Sequence, residues 1–300
     1  MKQVMVRRFD PSHVLRLIAE EKCTGMSLVP TMANALLNCP DLGKFDTSTM
    51  REIVLGGAAS SPELVCRLEQ AFHCVVGAGY GLTETCPVAT GARTKSTVVY
   101  TGEEDRLNHL ASTGWPLPGC EVRVVDLQMK DVPRDMQTVG EIVIRGDLVM
   151  DGYFKEPKAT EAVMTDGWFH TGDMAVWDEE TYLQIVDRKK DIIISGGENI
   201  SSIEVERAIF AHTAVLECAV VSSPDPQWGE VPAAFVVLKP GQQLNEQQLC
   251  EFLQGRIARF KMPRRIQFSE MPLPKTGTGK IIKRELREGL WSGRERRIQG

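Results

Sequence analysis

The stretch Thr171–Glu204, TGDMAVWDEETYLQIVDRKKDIIISGGENISSIE, decides how the rest of the chain is read. It opens on Thr171-Gly172-Asp173, which predicts a turn that presents one acid. The run TYLQIV then alternates polar and apolar residues, the period of a strand with one buried face. Next comes a dense charged knot, Asp187-Arg188-Lys189-Lys190-Asp191, and after it the apolar strand Ile192–Ile194. A Ser-Gly-Gly loop and a helix start at Ser202-Ile203-Glu204 close the stretch. A charged knot between two strand-like runs is not expected in a core. It predicts a joint between two folded units, with charges placed where a polar ligand could bind.

Working outward toward the amino terminus, strands alternate with helices. Asp10-Pro11 opens a helix, with Asp as N-cap and Pro in the first turn. Met26–Val29 and Arg51–Leu55 read as strands, and Ser60 or Ser61 caps a helix beginning Pro62-Glu63. Val75-Val76 runs into Gly77-Ala78-Gly79-Tyr80-Gly81, where the glycines predict a sharp turn. This is the pattern of a mostly parallel sheet that binds ligands beyond its carboxyl edge. From about Ser112 the strands come closer together, at Glu121–Val125, Gly140–Arg145 and Tyr182–Val186. After Lys190 a compact α+β unit is predicted, with helices about Ser202–Phe210 and Glu246–Ile257 among four strands.

Composition excludes several classes. A net charge of −5 gives no reason to expect nucleic acid or an anionic membrane as partner. No apolar run approaches a transmembrane segment, and the start MKQVMVRRFD lacks the apolar stretch of a signal peptide. None of the eight cysteines is spaced as C-x-x-C, so they read as reduced thiols of a cytoplasmic protein.

Four segments have the chemistry to hold a nucleotide. Gly56-Gly57-Ala58-Ala59 follows a strand and lets a flat ring approach the backbone; alone, it is an ordinary strand-to-helix turn. In Gly79-Tyr80-Gly81-Leu82-Thr83-Glu84, Tyr80 offers a ring to stack on a base. Thr83 offers a hydroxyl to a phosphate and Glu84 a hard oxygen to Mg²⁺. Alone, Tyr80 is packing and Glu84 a helix-start charge. The third segment is the joint, with Asp173 and Arg188. The fourth, Pro274-Lys275-Thr276-Gly277-Thr278-Gly279-Lys280-Ile281, fails the Walker pattern, which needs Gly at Pro274 and Ser or Thr at Ile281.

In order, these segments resemble the adenylate-forming acyl-CoA synthetase superfamily. TGD, DRxKD, YGxTE and PKTxTGK of that family match the segments around Asp173, Arg188, Tyr80 and Lys280. The resemblance implies that Asp173 and Arg188 bind the ribose of ATP, and that Gly57, Ala58, Ala59, Gly79, Tyr80 and Thr83 complete the nucleotide site, with Glu84 holding Mg²⁺. It makes Lys190 the hinge, sets Gly196 and Gly197 beside the pantetheine of coenzyme A, and makes Lys280 the catalytic lysine. Ala78 stands where many relatives carry a polar residue.

The implied fold is α/β. Residues 1–190 form the latter part of a large AMP-binding domain, α/β to about 110 and β-rich to about 190. Residues 191–300 form a mobile α+β C-terminal domain. The implied reaction joins a carboxylic acid (fatty or related, from the ISGGENIS wording) to CoA at the expense of ATP, through an acyl-adenylate. Nothing before Gly56 looks like the family's phosphate loop ending in Pro-Lys-Gly. The expectation is therefore that the chain starts inside the large domain and that an N-terminal half is missing. It would be a fragment, one half of a split enzyme, or a complete protein with reduced function. Three readings stay open: acyl-CoA ligase, non-catalytic nucleotide-binding module, and adenylation domain that loads a carrier protein.

Overall fold

The computed structural model describes residues 2–276 and 281–292. The chain divides into two compact units, at Ile185/Val186. Unit one opens with α1 (Pro11–Glu21), β1 (Gly25–Leu28), α2 (Pro30–Leu37), β2 (Glu52–Leu55), α3 (Pro62–Phe72) and β3 (Val75–Tyr80). The cap residues act as the sequence dictates: Asp10 accepts from the His13 amide at 2.8 Å, and Ser61, not Ser60, accepts from the Leu64 amide at 3.1 Å. Parallel pairing sets Leu28 beside Leu55 and Leu55 beside Ala78, so β1 and β2 end together and β3 runs two residues further. Short β4 (Thr90–Gly91), helix α4 (Glu103–Ala111) and short β5 (Trp115–Pro116) follow, and β4 and β5 extend this sheet in antiparallel sense. Leu15, Leu36, Ile53, Leu55, Leu68 and Phe72 form the core against it.

The β-rich part contains β6 (Cys120–Val125), β7 (Gly140–Gly146), α5 (Pro157–Glu161), β8 (Met164–Thr165), β9 (Trp168–Trp177) and β10 (Leu183–Arg188). The sheet order is β10-β9-β7-β6, with β8 on β9. Ile142, Ile144, Ala175, Trp177 and Leu183 pack one face of it.

In unit two, β11 (Ile193–Ser195) and β12 (Glu198–Ile200) form a hairpin, followed by α6 (Ser202–Phe210), β13 (Val215–Asp225) and β14 (Gly229–Leu238). Then come α7 (Glu246–Leu253), β15 (Arg265–Ser269) and α8 (Lys283–Trp291). The sheet runs β12-β11-β14-β13, with β15 parallel to β14. Among the described residues no helix is long and apolar enough to cross a membrane, and all eight cysteines are free of disulfides.

Three local expectations are corrected. The Gly77–Gly81 segment is not a sharp turn: β3 runs through Tyr80, and Gly77, Gly79 and Gly81 keep ordinary φ. Glycine serves close approach instead, since a Cβ on Gly77 would lie 2.1 Å from the Ala92 carbonyl oxygen. Thr171-Gly172-Asp173 is not a turn between strands but an irregularity within β9. The charged knot is not wholly solvated, because Asp187 is only 1% exposed.

Candidate active site

The site is built at the carboxyl ends of β2 and β3. β2 leads into Gly56-Gly57-Ala58-Ala59, whose last three residues are exposed. Gly57 has φ +77°, a conformation that costs glycine nothing and other residues strain. Gly56 sits against the Gly79 carbonyl, which an added Cβ would meet at 3.7 Å. The two glycine-bearing segments are thus neighbours across the strand ends.

Tyr80, the last residue of β3, donates its phenol hydrogen to Asp173 Oδ2 at 2.7 Å, across 93 positions of sequence. A local device presents Asp173. Between the pairs Glu141–Met174 and Val143–His170, β7 has one residue, Ile142, while β9 has three, Thr171, Gly172 and Asp173. This bulge needs Gly172 at φ +70°. Thr171 Oγ1 donates to the Ile142 carbonyl at 2.8 Å and accepts from the Asp173 amide at 3.1 Å. The Gly172 amide donates to Glu141 Oε1 at 3.1 Å, and His170 Nδ1 lies 3.1 Å from Glu141 Oε2. One carboxylate therefore holds both sides of the bulge.

Thr83 and Glu84 fall in a single 3₁₀ turn, Thr83–Thr85, after β3. Thr83 is exposed. Glu84 Oε1 accepts from Tyr153 Oη at 3.0 Å, and its carbonyl accepts from the Met150 amide at 2.9 Å. Burial, then the neighbouring Glu84, raises the Tyr153 phenol pKa, so the phenol stays a donor. Among the described residues no group of three or more His, Cys, Asp and Glu could hold a metal. One carboxylate is nonetheless what Mg²⁺ takes when phosphates and waters supply its other oxygens, and Glu84 fits that role.

The remaining candidates belong to unit two. The Arg188 amide donates to Asp187 Oδ1 at 2.7 Å, and the Lys190 carbonyl accepts from Arg287 Nη1 at 3.2 Å. Gly196 and Gly197, at φ +59° and +91°, make the two-residue turn of the β11–β12 hairpin, where both positions require positive φ. A Cβ on Gly196 would press into the Trp228 ring at 2.6 Å, whereas Gly197 faces open space. Lys280 lies outside the described residues.

Sequence reasoning missed Glu141, His170 and Tyr153. Glu141 left one trace: it shares a face of β7 with the buried Val143, a poor place for an unpaired acid. His170 and Tyr153 left none, because their partners lie 29 and 69 residues away.

A glycine-lined strand edge that brings a tyrosine against a bulge-borne aspartate, followed by a separate α+β unit, is the arrangement of an adenylate-forming enzyme. Residues 1–154 match the family model described as AMP-binding enzyme, and residues 204–280 match that of the AMP-binding enzyme C-terminal domain. The chain belongs to the AMP-binding enzyme family. It is 40% identical over 283 residues to a long-chain-fatty-acid–CoA ligase of Thermus thermophilus, covering 94% of this chain and 52% of that one. It is 40% identical over 290 residues to the peroxisomal trans-cinnamate:CoA ligase of Petunia hybrida, covering 95% and 50%. Among solved structures, ATP-bound MatB from Rhodopseudomonas palustris matches with TM-score 0.81 and 33% identity, over 96% of this chain and 55% of that one. O-succinylbenzoate coenzyme A synthetase from Bacillus subtilis, in complex with ATP and magnesium ion, matches with TM-score 0.79 and 32% identity, over 93% and 54%. The chain spans about half the length of the curated relatives it matches.

Proposed function

We propose that this chain works in an ATP-dependent acid–thiol ligase, converting a carboxylic acid, ATP and CoA to acyl-CoA, AMP and diphosphate. In this reading a carboxylate oxygen attacks the α-phosphorus of ATP. The acyl–phosphate bond forms, the bond to the β-phosphate breaks, and diphosphate leaves. The thiol of CoA then attacks the acyl carbon, and AMP departs. Residues 1–190 supply the AMP-binding part and residues 191–300 the C-terminal domain, with the pivot at Lys190.

The Tyr80–Asp173 hydrogen bond carries this reading, because it unites two motifs far apart in sequence, one at the end of β3 and one on β9 of a different sheet. The bond locks the Tyr80 ring where adenine can stack on it. Asp173, with Arg188, receives the ribose hydroxyls. Gly57, Ala58, Ala59 and Gly79 leave the backbone open to the base, and Thr83 reaches a phosphate. Magnesium, when bound at Glu84, would offset phosphate charge. Gly196 and Gly197 line the path of the pantetheine arm, and Lys280 bridges the carboxylate and the phosphate. The names of the relatives support a fatty or aryl-substituted acid as substrate.

Two assays test the reading: calorimetric titration with AMP and ATP, and ATP–diphosphate exchange with a panel of fatty and aromatic acids. Binding of AMP is expected from this chain alone; exchange with at least one acid is expected from a protein that also carries the phosphate loop, and the acid that works names the substrate. Binding without exchange in such a protein would favour a nucleotide-binding module. No binding would overturn the proposal.

A further inference from the structure

Unit two holds a network of charges that the proposed chemistry does not use. Lys283, the first residue of α8, places Nζ 2.8 Å from Glu206 Oε1 and donates to Ser202 Oγ at 2.6 Å. Asp187 accepts from the Ser202 amide at the amino end of α6, where a helix favours an anion. Glu206 Oε1 also accepts from the Val220 amide at 2.7 Å. Burial pushes the Asp187 and Glu206 carboxyls above their ordinary range, against the pull of Lys283. Burial alone would depress Lys283, yet Glu206 and Asp187 hold it above the ordinary lysine value. A cation at a helix amino end opposes the helix dipole, so these acids account for a lysine at that position.

One turn further along α8, Arg287 Nη1 pairs with Asp191 and donates to the Lys190 carbonyl. Both side chains of that pair are nearly dry, at 13% and 11% exposed. Lys283 and Arg287 stand four apart on α8, as Asp187 and Asp191 do at the joint; Arg287 pairs directly with Asp191, and Lys283 reaches Asp187 through Ser202, whose hydroxyl accepts from the lysine and whose amide donates to the acid. They form two rungs between α8 and the joint. Leu286 and Leu290 pack another face of α8 against β13 and β14 through Ala219, Val221, Phe235 and Val237.

The residues just before α8 close the neck of the lysine segment. The Ile282 amide donates to the Pro274 carbonyl at 2.8 Å, and Lys275 bridges Ile281 in antiparallel sense. Glu217 fixes the upstream side, pairing with Lys275 and accepting from the Leu273 amide at 3.1 Å.

We propose that Lys283 and Arg287 are positioning residues that couple the joint, residues 187–191, to the neck formed by Pro274, Lys275, Ile281 and Ile282. The joint and the neck are then one mechanical piece. A change at either end reaches the other through α8. The consequence for Lys280 rests on the ligase reading; the coupling itself does not.

Amide hydrogen exchange on the whole chain tests the coupling. Asp191→Asn removes the outer rung at the joint. Exchange should quicken at residues 191 and 192, whose amides bond the Arg188 carbonyl, and also at Ile282, on the order of tenfold, as coupled neighbours give. Lys283→Met should quicken residues 191 and 192 in return. In Asp191→Asn the Val221 amide, within the β13–β14 ladder, reports global opening and should stay slow; in Lys283→Met its rate gives the global loss against which residues 191 and 192 are read. If Ile282 keeps its parent rate while 191 and 192 quicken, the coupling is refuted. Should either variant fail to fold, Arg287→Lys keeps the charge but loses the planar fork. It should quicken both ends by a similar, smaller factor, and a response at one end alone refutes the proposal. Titration of the unaltered chain with AMP tests the ligase reading separately, so either can fail while the other stands.

Discussion

Asp173 and Asp187 stand fourteen positions apart, and both are almost wholly buried, at 5% and 1% exposed. Their surroundings differ in kind. Asp173 rides on a bulge within β9 and meets the phenol of Tyr80, which ends β3 of another sheet. Asp187 is enclosed by a helix amide and the charge of a buried lysine, all within its own unit. Burial alone therefore does not separate a site from its scaffold. The partners of a carboxylate say more: Asp173 meets the phenol of a distant motif, while Asp187 takes a helix amide and the charge of a buried lysine.

The largest effect expected from this contrast is on stability. Lys283→Met leaves Glu206 and Asp187 buried without their cation, and breaking such a group costs about 3–5 kcal/mol. Chemical denaturation should show that loss in unit two. A variant that kept its stability but lost AMP affinity would erase the distinction between the two aspartates.

Asp173→Ala should do the opposite. Losing one charge-assisted hydrogen bond to a ribose hydroxyl, about 1.5–3 kcal/mol, predicts AMP affinity roughly 10- to 150-fold weaker by calorimetry. Unchanged affinity would move the nucleotide elsewhere. Tyr80→Phe is a finer probe, because it keeps the ring and deletes only the donor to Asp173. One neutral hydrogen bond is worth about 1 kcal/mol, so a loss near fivefold is expected, and a loss as large as that of Asp173→Ala would make the bond, not the ring, dominant.

The smallest effect concerns pH. Burial, reinforced by Glu206, raises the Cys218 thiol well above its ordinary value. The unfolded thiol ionises at about pH 8.5, while the folded one stays protonated. Above that pH the folded state binds more protons, so stability is full below about pH 8.5 and falls as pH rises toward the folded value. Cys218→Ala should flatten the decline in melting temperature over that window, and an unchanged slope would place its origin elsewhere.

What the sequence made legible follows the range of the interactions. Asp10 and Ser61 act within three residues, and both helix starts were readable from spacing alone. The bounds of α6 were equally plain, because Ser201 caps the Glu204 amide locally. Asp187 was not readable as buried, since its cation lies 96 positions away and the knot around it looks solvated. Gly77 of β3 was misread because its reason is the Ala92 backbone, not its own φ. Tyr80 and Asp173 were both singled out as site residues from motif order. Their direct bond needed the fold, because no local pattern ties β3 to β9.

The bulge in β9 has a consequence that can be put as parity. It adds two residues, an even number, so the alternation of faces is the same before and after it: Phe169 pairs Ile144 and Ala175 pairs Gly140 on one side of the sheet. An extra loop's worth of site chemistry has thus been inserted without turning any core residue inside out. Deleting Gly172 alone would make the count odd and rotate Ala175 and Trp177, both at 2% exposure or less, away from the cluster they fill. Deleting two residues would spare the sheet and remove only the site. At this position the chain tolerates length changes in pairs.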